Sequence, residues 1–194
     1  MRMEPARCSM PSFLEFDRMR VKLLSHTELE AVKYVLRVKN VPFDPSQLLD
    51  HVVYMFEIED CSRVTTHQLV RHRVASYDQE SQRFSSASRE GFVTPPSVQS
   101  NESAMRVYDQ ALKAAYQAFD SMIALGVPKE DARYVLPNAI KTKLVMTVTA
   151  KSLMHIVWQR TALQAQWEIK EVVNVMLNLA REATPELWTK IIER

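Results

Sequence analysis

The chemistry-bearing residues of this 194-residue chain crowd into one stretch, Arg71-His72-Arg73-Val74-Ala75-Ser76-Tyr77-Asp78-Gln79-Glu80-Ser81-Gln82-Arg83-Phe84. Three arginines, a histidine and two serines fall within its first 13 residues. A guanidinium stays charged at any working pH, and its fork of N–H donors matches phosphate and carboxylate oxygens. The hydroxyls of Ser76 and Ser81 and the amides of Gln79 and Gln82 add neutral donors. Such a set can hold a nucleotide phosphate. Composition alone leaves a second reading open, a solvated basic stretch flanked by acids.

Help from the backbone is scarce. Average usage would give roughly 14 glycines in a chain this long, and only Gly91 and Gly126 occur. Neither a GxGxxG fingerprint nor a Walker A loop can be written with two glycines, so any phosphate must be held by side chains. Cys8 and Cys61 have no metal-type spacing, and the five histidines form no HExxH, so no metal site is expected. Two isolated cysteines and an N-terminus without an apolar signal core read as a soluble, cytoplasmic chain. The net charge of +2 gives no basic excess that would advertise nucleic acid or a membrane surface. A nucleotide or nucleic-acid binder using Arg71, Arg73, Arg83 and Arg89 stays on the table, but interleaved aromatics are lacking.

These residues need a scaffold. Apolar residues make up 46% of the chain and charged residues 25%, enough for one domain with a sizeable core. Residues 1–18, with two prolines and no period, read as an N-terminal extension, and 19–194 as the domain. Arg20–Leu24 reads as a strand, followed by a helix capped by Ser25 or Thr27 and running to Val38. Val41 to Ser46 is a turn, and Val52–Ile58 is the strongest strand signal in the first half. Ser62 is placed to cap a helix through Arg71. The Ser-rich stretch 85–103 reads as a long surface loop. Ala104–Leu125 is a long amphipathic helix with Ala104, Val107, Ala111, Ala115, Phe119, Met122 and Ile123 on its apolar face. Gly126 is its expected C′ residue, and Pro128 opens the next helix. Leu144–Thr149 is a second strand; Lys151–Gln159, Ala165–Ala183 and a segment opened by Thr184-Pro185 are helices. The class expected is α+β, a helix-rich single domain around a small, mostly antiparallel sheet.

The order of residues in the central stretch is more informative than their composition. RHRxxSxxxxSxR, met here at Arg71–Arg83, resembles the signature of the flavin-dependent thymidylate synthases (ThyX). Its six fixed types coincide by chance on the order of once in a million chains of this length. The resemblance runs on through MRVKLLSHT at 19–27, Asp50-His51, Gln68, Gly126-Val127-Pro128, Ala132-Arg133-Tyr134-Val135-Leu136-Pro137, Ser152-Leu153-Met154-His155, Arg160 and Ala165-Gln166-Trp167-Glu168-Ile169. It covers roughly residues 19–183.

The resemblance implies synthesis of dTMP from dUMP, with methylenetetrahydrofolate as carbon donor, NADPH as reductant and bound FAD as relay. It implies a homotetramer with sites shared between subunits; the balanced charge leads us to expect no nucleic-acid or membrane partner. By position, Gln68, Arg71, Gln79, Glu80, Ser81, Gln82, Arg83, Arg133 and Arg160 surround dUMP. Arg71, His72, Arg73, Gln79, Thr149, Lys151 and His155 fall at FAD positions. Arg160, the catalytic candidate, would lie against the uracil ring, where a permanent cation stabilises a developing anion. Ser81 has no triad-like neighbours and reads as a positioning hydroxyl. His72 lies between two cations that should keep it neutral, which suits flavin packing or hydrogen bonding; a lone His in such a run is otherwise a surface residue. Trp158 and Trp167 read as core or interface residues. Thr149-Ala150-Lys151 stands where the family commonly carries Asn-Ala-Arg.

Overall fold

The computed structural model describes residues 13–15, 19–38, 45–82 and 91–192. Its frame is an antiparallel sheet whose centre is two strands of strict alternation. In β3 (Val53–Ser62), Tyr54, Phe56 and Ile58 are fully buried on one face, while Met55, Glu57 and Glu59 point to the other. In β5 (Lys141–Thr149), Leu144, Met146 and Val148 share the buried face, in register with Ile58, Phe56 and Tyr54. A period of two puts alternate residues on opposite faces, so both strands bury one side only. β1 (Phe13–Glu15) and β2 (Arg20–His26) extend the sheet beyond β3, and β4 (Ala75–Gln79) closes its other edge, in the order β1-β2-β3-β5-β4.

Helices cover the apolar face. They are α1 (Leu29–Val38), α2 (Pro45–His51), α3 (Arg63–Leu69), α7 (Ala150–Arg160), α8 (Trp167–Ala183) and α9 (Pro185–Ile192), while α4 (Pro96–Gln99), α5 (Glu102–Ala124) and α6 (Lys129–Ala132) pack as a separate group, with Phe119 and Ala132 meeting Ile140 in a second small cluster. α8 is the main lid, burying Ile169, Val172, Val173, Met176, Leu179 and Ala180. At about 25 cal/mol per Å², such a stripe supplies the dominant stabilisation. α9 is tied down by Tyr54, whose hydroxyl lies 2.5 Å from the Thr184 hydroxyl and accepts from Trp188 Nε1 at 3.1 Å. The expected α+β class, helix-rich around an antiparallel sheet in one domain, is what the chain adopts.

The sheet's second face carries paired charges. Lys22 meets Glu57 at 3.1 Å and Glu59 at 3.2 Å, and Lys143 reaches both carboxylates. Arg20 meets Asp60 at 3.0 Å. The hydrogen bond from Lys143 leads in holding Glu57 below the usual carboxylate range. Burial alone would raise Glu59, but the bonds and charges of Lys143 and Lys22 together bring it below as well.

Several expectations change in detail. Ser25 lies within β2, and the Thr27 hydroxyl accepts from Val53 N at 3.1 Å; that hydroxyl is spent on β3 rather than on a helix cap, and α1 starts at Leu29. Ser62 does cap α3, accepting from Thr65 N at 3.2 Å. The helix stops at Leu69, short of Arg71. α2, α4 and β4 have no counterpart in the sequence reading. Of the apolar face assigned to the long helix, Phe119 is buried but Val107 is 67% exposed; the fold turns Leu112 inward instead. α5 ends as expected. Gly126, at φ +84°, donates to Ile123 O and Val127 donates to Met122 O, the paired bonds of a left-handed cap. Residues 13–15 of the expected extension form β1. Most of the turn expected at Val41 to Ser46 lies outside the described residues, as do Arg83, Phe84 and residues 85–90 of the expected loop. Among the described residues no helix is long and apolar enough to cross a membrane, and no group of three His, Cys, Asp or Glu is placed to hold a metal.

Candidate active site

The site grows from two segments that the sheet brings together. The first is α3 with the turn after it, residues 70–74, which hands the chain to β4. Tyr77 on β4 folds back under this turn. Its hydroxyl lies 2.7 Å from Leu69 O and 3.1 Å from His72 O, so one proton serves both carbonyls. Burial pushes the Tyr77 hydroxyl up to about 12, so it remains a donor at any ordinary pH. The second segment is α7. Thr149 caps it, accepting from Ser152 N at 3.2 Å and donating to Ser152 Oγ at 3.0 Å. Arg160 is its last residue.

Arg160 joins the two. Its Nε donates to His72 Nε2 at 2.8 Å, and its NH2 group donates to Gln68 O at 3.3 Å. A ring nitrogen that accepts cannot carry a proton, so neutral His72 holds its hydrogen on Nδ1. His72 is buried, with 7% exposure. Burial first, then the Arg160 guanidinium and His155, hold its pKa below the usual imidazole value. The expected cause is therefore corrected. Arg71 and Arg73 are exposed, and the cation that acts on His72 is Arg160, 88 residues along the chain.

The remaining candidates divide. Gln68 is half-buried on α3, and Arg71 and Arg73 present exposed guanidinium groups on the turn. The Gln79 amide donates to Thr66 Oγ1 at 2.9 Å and to Thr142 Oγ1 at 3.4 Å, bracing β4 against α3 and β5. The Glu80 carboxylate is exposed, while its carbonyl accepts from Arg63 at 3.0 Å. Ser81 and Gln82 follow, half-buried, and Arg83 is outside the described residues. Arg133 lies in a short 3-10 turn, Arg133–Val135, and its described side-chain bond is to Glu130 O of the preceding α6. Lys151 reaches Asp50 at 2.9 Å, and His155 shares a hydrogen bond with Gln159.

Between the 70–74 turn and α7 opens a cavity of about 640 Å³ lined by Val74, Lys151, Ser152, Met154, His155 and Trp158. A second, of about 360 Å³, includes Arg73, Ser76, Thr147 and Thr149. Val74 borders both. Trp158, expected in a core or an interface, is 74% exposed at the rim. Sequence reasoning missed the bracing roles of Thr66 and Tyr77 and the contact of Ser62 with Glu168. For Tyr77 a signal existed, because Ala75, Tyr77 and Gln79 alternate with exposed Ser76 and Asp78.

The chain is thus an α+β domain in which a cation is held between a neutral histidine and a helix carbonyl, with a mostly apolar cavity along the same helix. Residues 5–186 match the family described as "Thymidylate synthase complementing protein" (Thy1), and the chain belongs to that family. The "Flavin-dependent thymidylate synthase" of Geobacter sulfurreducens is 42% identical over 143 residues, covering 73% of this chain and 62% of that protein. The protein of the same name from Nitratidesulfovibrio vulgaris is 40% identical over 151 residues, covering 74% and 62%. That of Sulfurisphaera tokodaii is 42% identical over 143 residues, covering 73% and 55%. The match thus spans less than two thirds of the length of these relatives.

Proposed function

We propose that the chain is a flavin-dependent thymidylate synthase, methylating dUMP to dTMP with methylenetetrahydrofolate as carbon donor and NADPH as reductant, in cytoplasmic homotetramers that share sites between subunits. The observation that carries this reading is Arg160. Two of its five N–H donors are spent on His72 and Gln68, and these fix the plane of the guanidinium. The described bonds leave the others available to a ligand. A planar cation held beside uracil N3 and O2 stabilises negative charge developing there and makes C5 a better nucleophile. Neutral His72 orients that cation without adding a competing positive charge. Arg71 and Arg73 suit phosphate groups, and Ser81 orients rather than attacks.

The residues present fit FAD. The larger cavity has apolar walls in Val74, Met154 and Trp158 for a flat heterocycle. Arg73 and Ser76 on the adjoining cavity supply donors for phosphate, and Lys151 adds a cation that it shares with Asp50. When bound, FAD supplies the redox relay between the reductant and the transferred carbon. A second reading, a family relative acting on another pyrimidine nucleotide or with weakened flavin use, draws on Thr149 and Lys151, which are engaged with Ser152 and Asp50.

The test is the visible spectrum of purified protein given FAD, before and after dUMP, followed by dTMP formation with methylenetetrahydrofolate and NADPH. Flavin bands that shift with dUMP, and dTMP product, are expected. Folded protein that takes up no flavin overturns the proposal. Flavin binding with turnover of a different pyrimidine nucleotide selects the second reading.

A further inference from the structure

Glu168 has no part in the reading above, yet it is a carboxylate with 3% exposure. Its Oε1 accepts from Ser62 N at 2.6 Å and its Oε2 from Ser62 Oγ at 2.5 Å. Ser62 Oγ in turn accepts from Thr65 N. The carboxylate thus backs the serine that caps α3. Burying a carboxylate is costly, and capping does not require it. Asn101, Thr149 and Gln166 cap α5, α7 and α8 with neutral side chains. Something other than helix termination is served.

The geometry of connection shows what. From Ser62 the chain runs six residues along α3 to Gln68; from Glu168 it runs back eight residues to Arg160. The Gln68–Arg160 contact closes one end of this ring and the Ser62–Glu168 contact the other. With both arms short, α3 cannot slide or rotate against the α7–α8 corner unless the Glu168 end opens. The same helix carries Thr66, on which the Gln79 amide rests.

We propose that Glu168 is a positioning residue for Arg160, its paired bonds to Ser62 setting the spacing at which Arg160 meets Gln68 and His72. The inference builds on the proposed role of Arg160. Its structural half can be read without substrate.

The experiment compares FAD-loaded wild type with Glu168→Ala, Glu168→Gln and Ser62→Ala. Each is measured for kcat and KM with dUMP and by ¹⁵N NMR of the His72 ring, where an accepting Nε2 and a protonated Nδ1 have distinct shifts. Melting curves report folding. Glu168→Ala is expected to lower kcat by about 10- to 100-fold, as a displacement on the order of 1 Å does, with a smaller change in KM and loss of the accepting Nε2 signal. Glu168→Gln, which can still accept from Ser62 N and donate to Ser62 Oγ, recovers most of both. Ser62→Ala, which keeps one of the two bonds, moves both readouts part of the way; it carries the test if Glu168→Ala does not fold. Folded Glu168→Ala, or failing that Ser62→Ala, with wild-type kcat and an unchanged His72 signal overturns the inference, as does a folded Glu168→Gln that is as impaired as Glu168→Ala. If wild type turns over no dUMP, the proposed function fails, and the His72 signal alone decides the positioning role.

Discussion

The His72–Arg160 hydrogen bond should be worth a measurable coupling energy, and its size can be set in advance. The bond is 2.8 Å long, joins a cation to a neutral acceptor, and lies at a half-buried guanidinium against a buried ring. Hydrogen bonds with one charged partner contribute about 1.5–3 kcal/mol. Because Arg160 keeps some solvent, the low end, about 1.5 kcal/mol, is expected. The perturbation is a double-mutant cycle of His72→Phe and Arg160→Met, both of which preserve bulk while removing the polar partners. Urea unfolding at pH 7 gives the four stabilities, and the double mutant should be less damaged than the sum of the singles by about 1.5 kcal/mol. For a chain of this size that corresponds to roughly 3–6 °C in melting temperature. Burial and the neighbouring Arg160 and His155 hold the His72 pKa down, so the coupling should persist to lower pH than an ordinary imidazole would allow. With further acidification the unfolded chain takes up a proton that the native ring resists. Stability from this group is therefore present above the unfolded pKa and falls as pH drops below it. A coupling under about 0.5 kcal/mol, the scatter of independent sites, or one that vanishes already at pH 6.5, refutes the account of how Arg160 is held.

Further outcomes follow from other features. The carboxylates of Glu57 and Glu59 sit below their usual range, so their contribution is present above the unfolded carboxylate pKa and lost as pH falls through the folded values. Glu57→Gln should flatten the acid limb of a stability–pH curve, and an unchanged limb contradicts this. Burial raises the Cys61 thiol to about 12, so in a Cys8→Ser background native protein should react with a thiol reagent only as fast as it unfolds; rapid labelling would show that β3 opens locally. Gly126→Ala, at φ +84° with open space for the new methyl, should cost about 1–2 kcal/mol from backbone strain alone, read as a lower melting temperature with activity intact.

Much of the fold was legible because it rests on local signals. The alternation in β3 and β5, the Ser62 cap and the Gly126 terminator each specify their own element. α2 was hidden because a seven-residue helix beginning at a proline looks like the turn that precedes it. β4 was hidden because its residues were read for chemistry, although they also alternate. The site was legible as a set of residue types and a spacing, but its working contacts are tertiary. Nothing near His72 in sequence reveals that its acceptor faces Arg160, and nothing near Ser62 reveals Glu168. Asp50 and Lys151 were each seen for the family pattern they stand in, not as partners, since 101 residues separate them.

Both glycines adopt left-handed conformations, Gly91 at φ +72° and Gly126 at φ +84°, and neither lines a cavity described above. The consequence is thermodynamic. A glycine loop offers amides that are already fixed, whereas each arginine or lysine that clamps a ligand forfeits up to about 2 kcal/mol of rotamer freedom when it does so. Binding to this surface should be enthalpically favourable and entropically opposed. Contacts of the kind that hold Arg160 in place before any ligand arrives are then how such a surface keeps that opposition small.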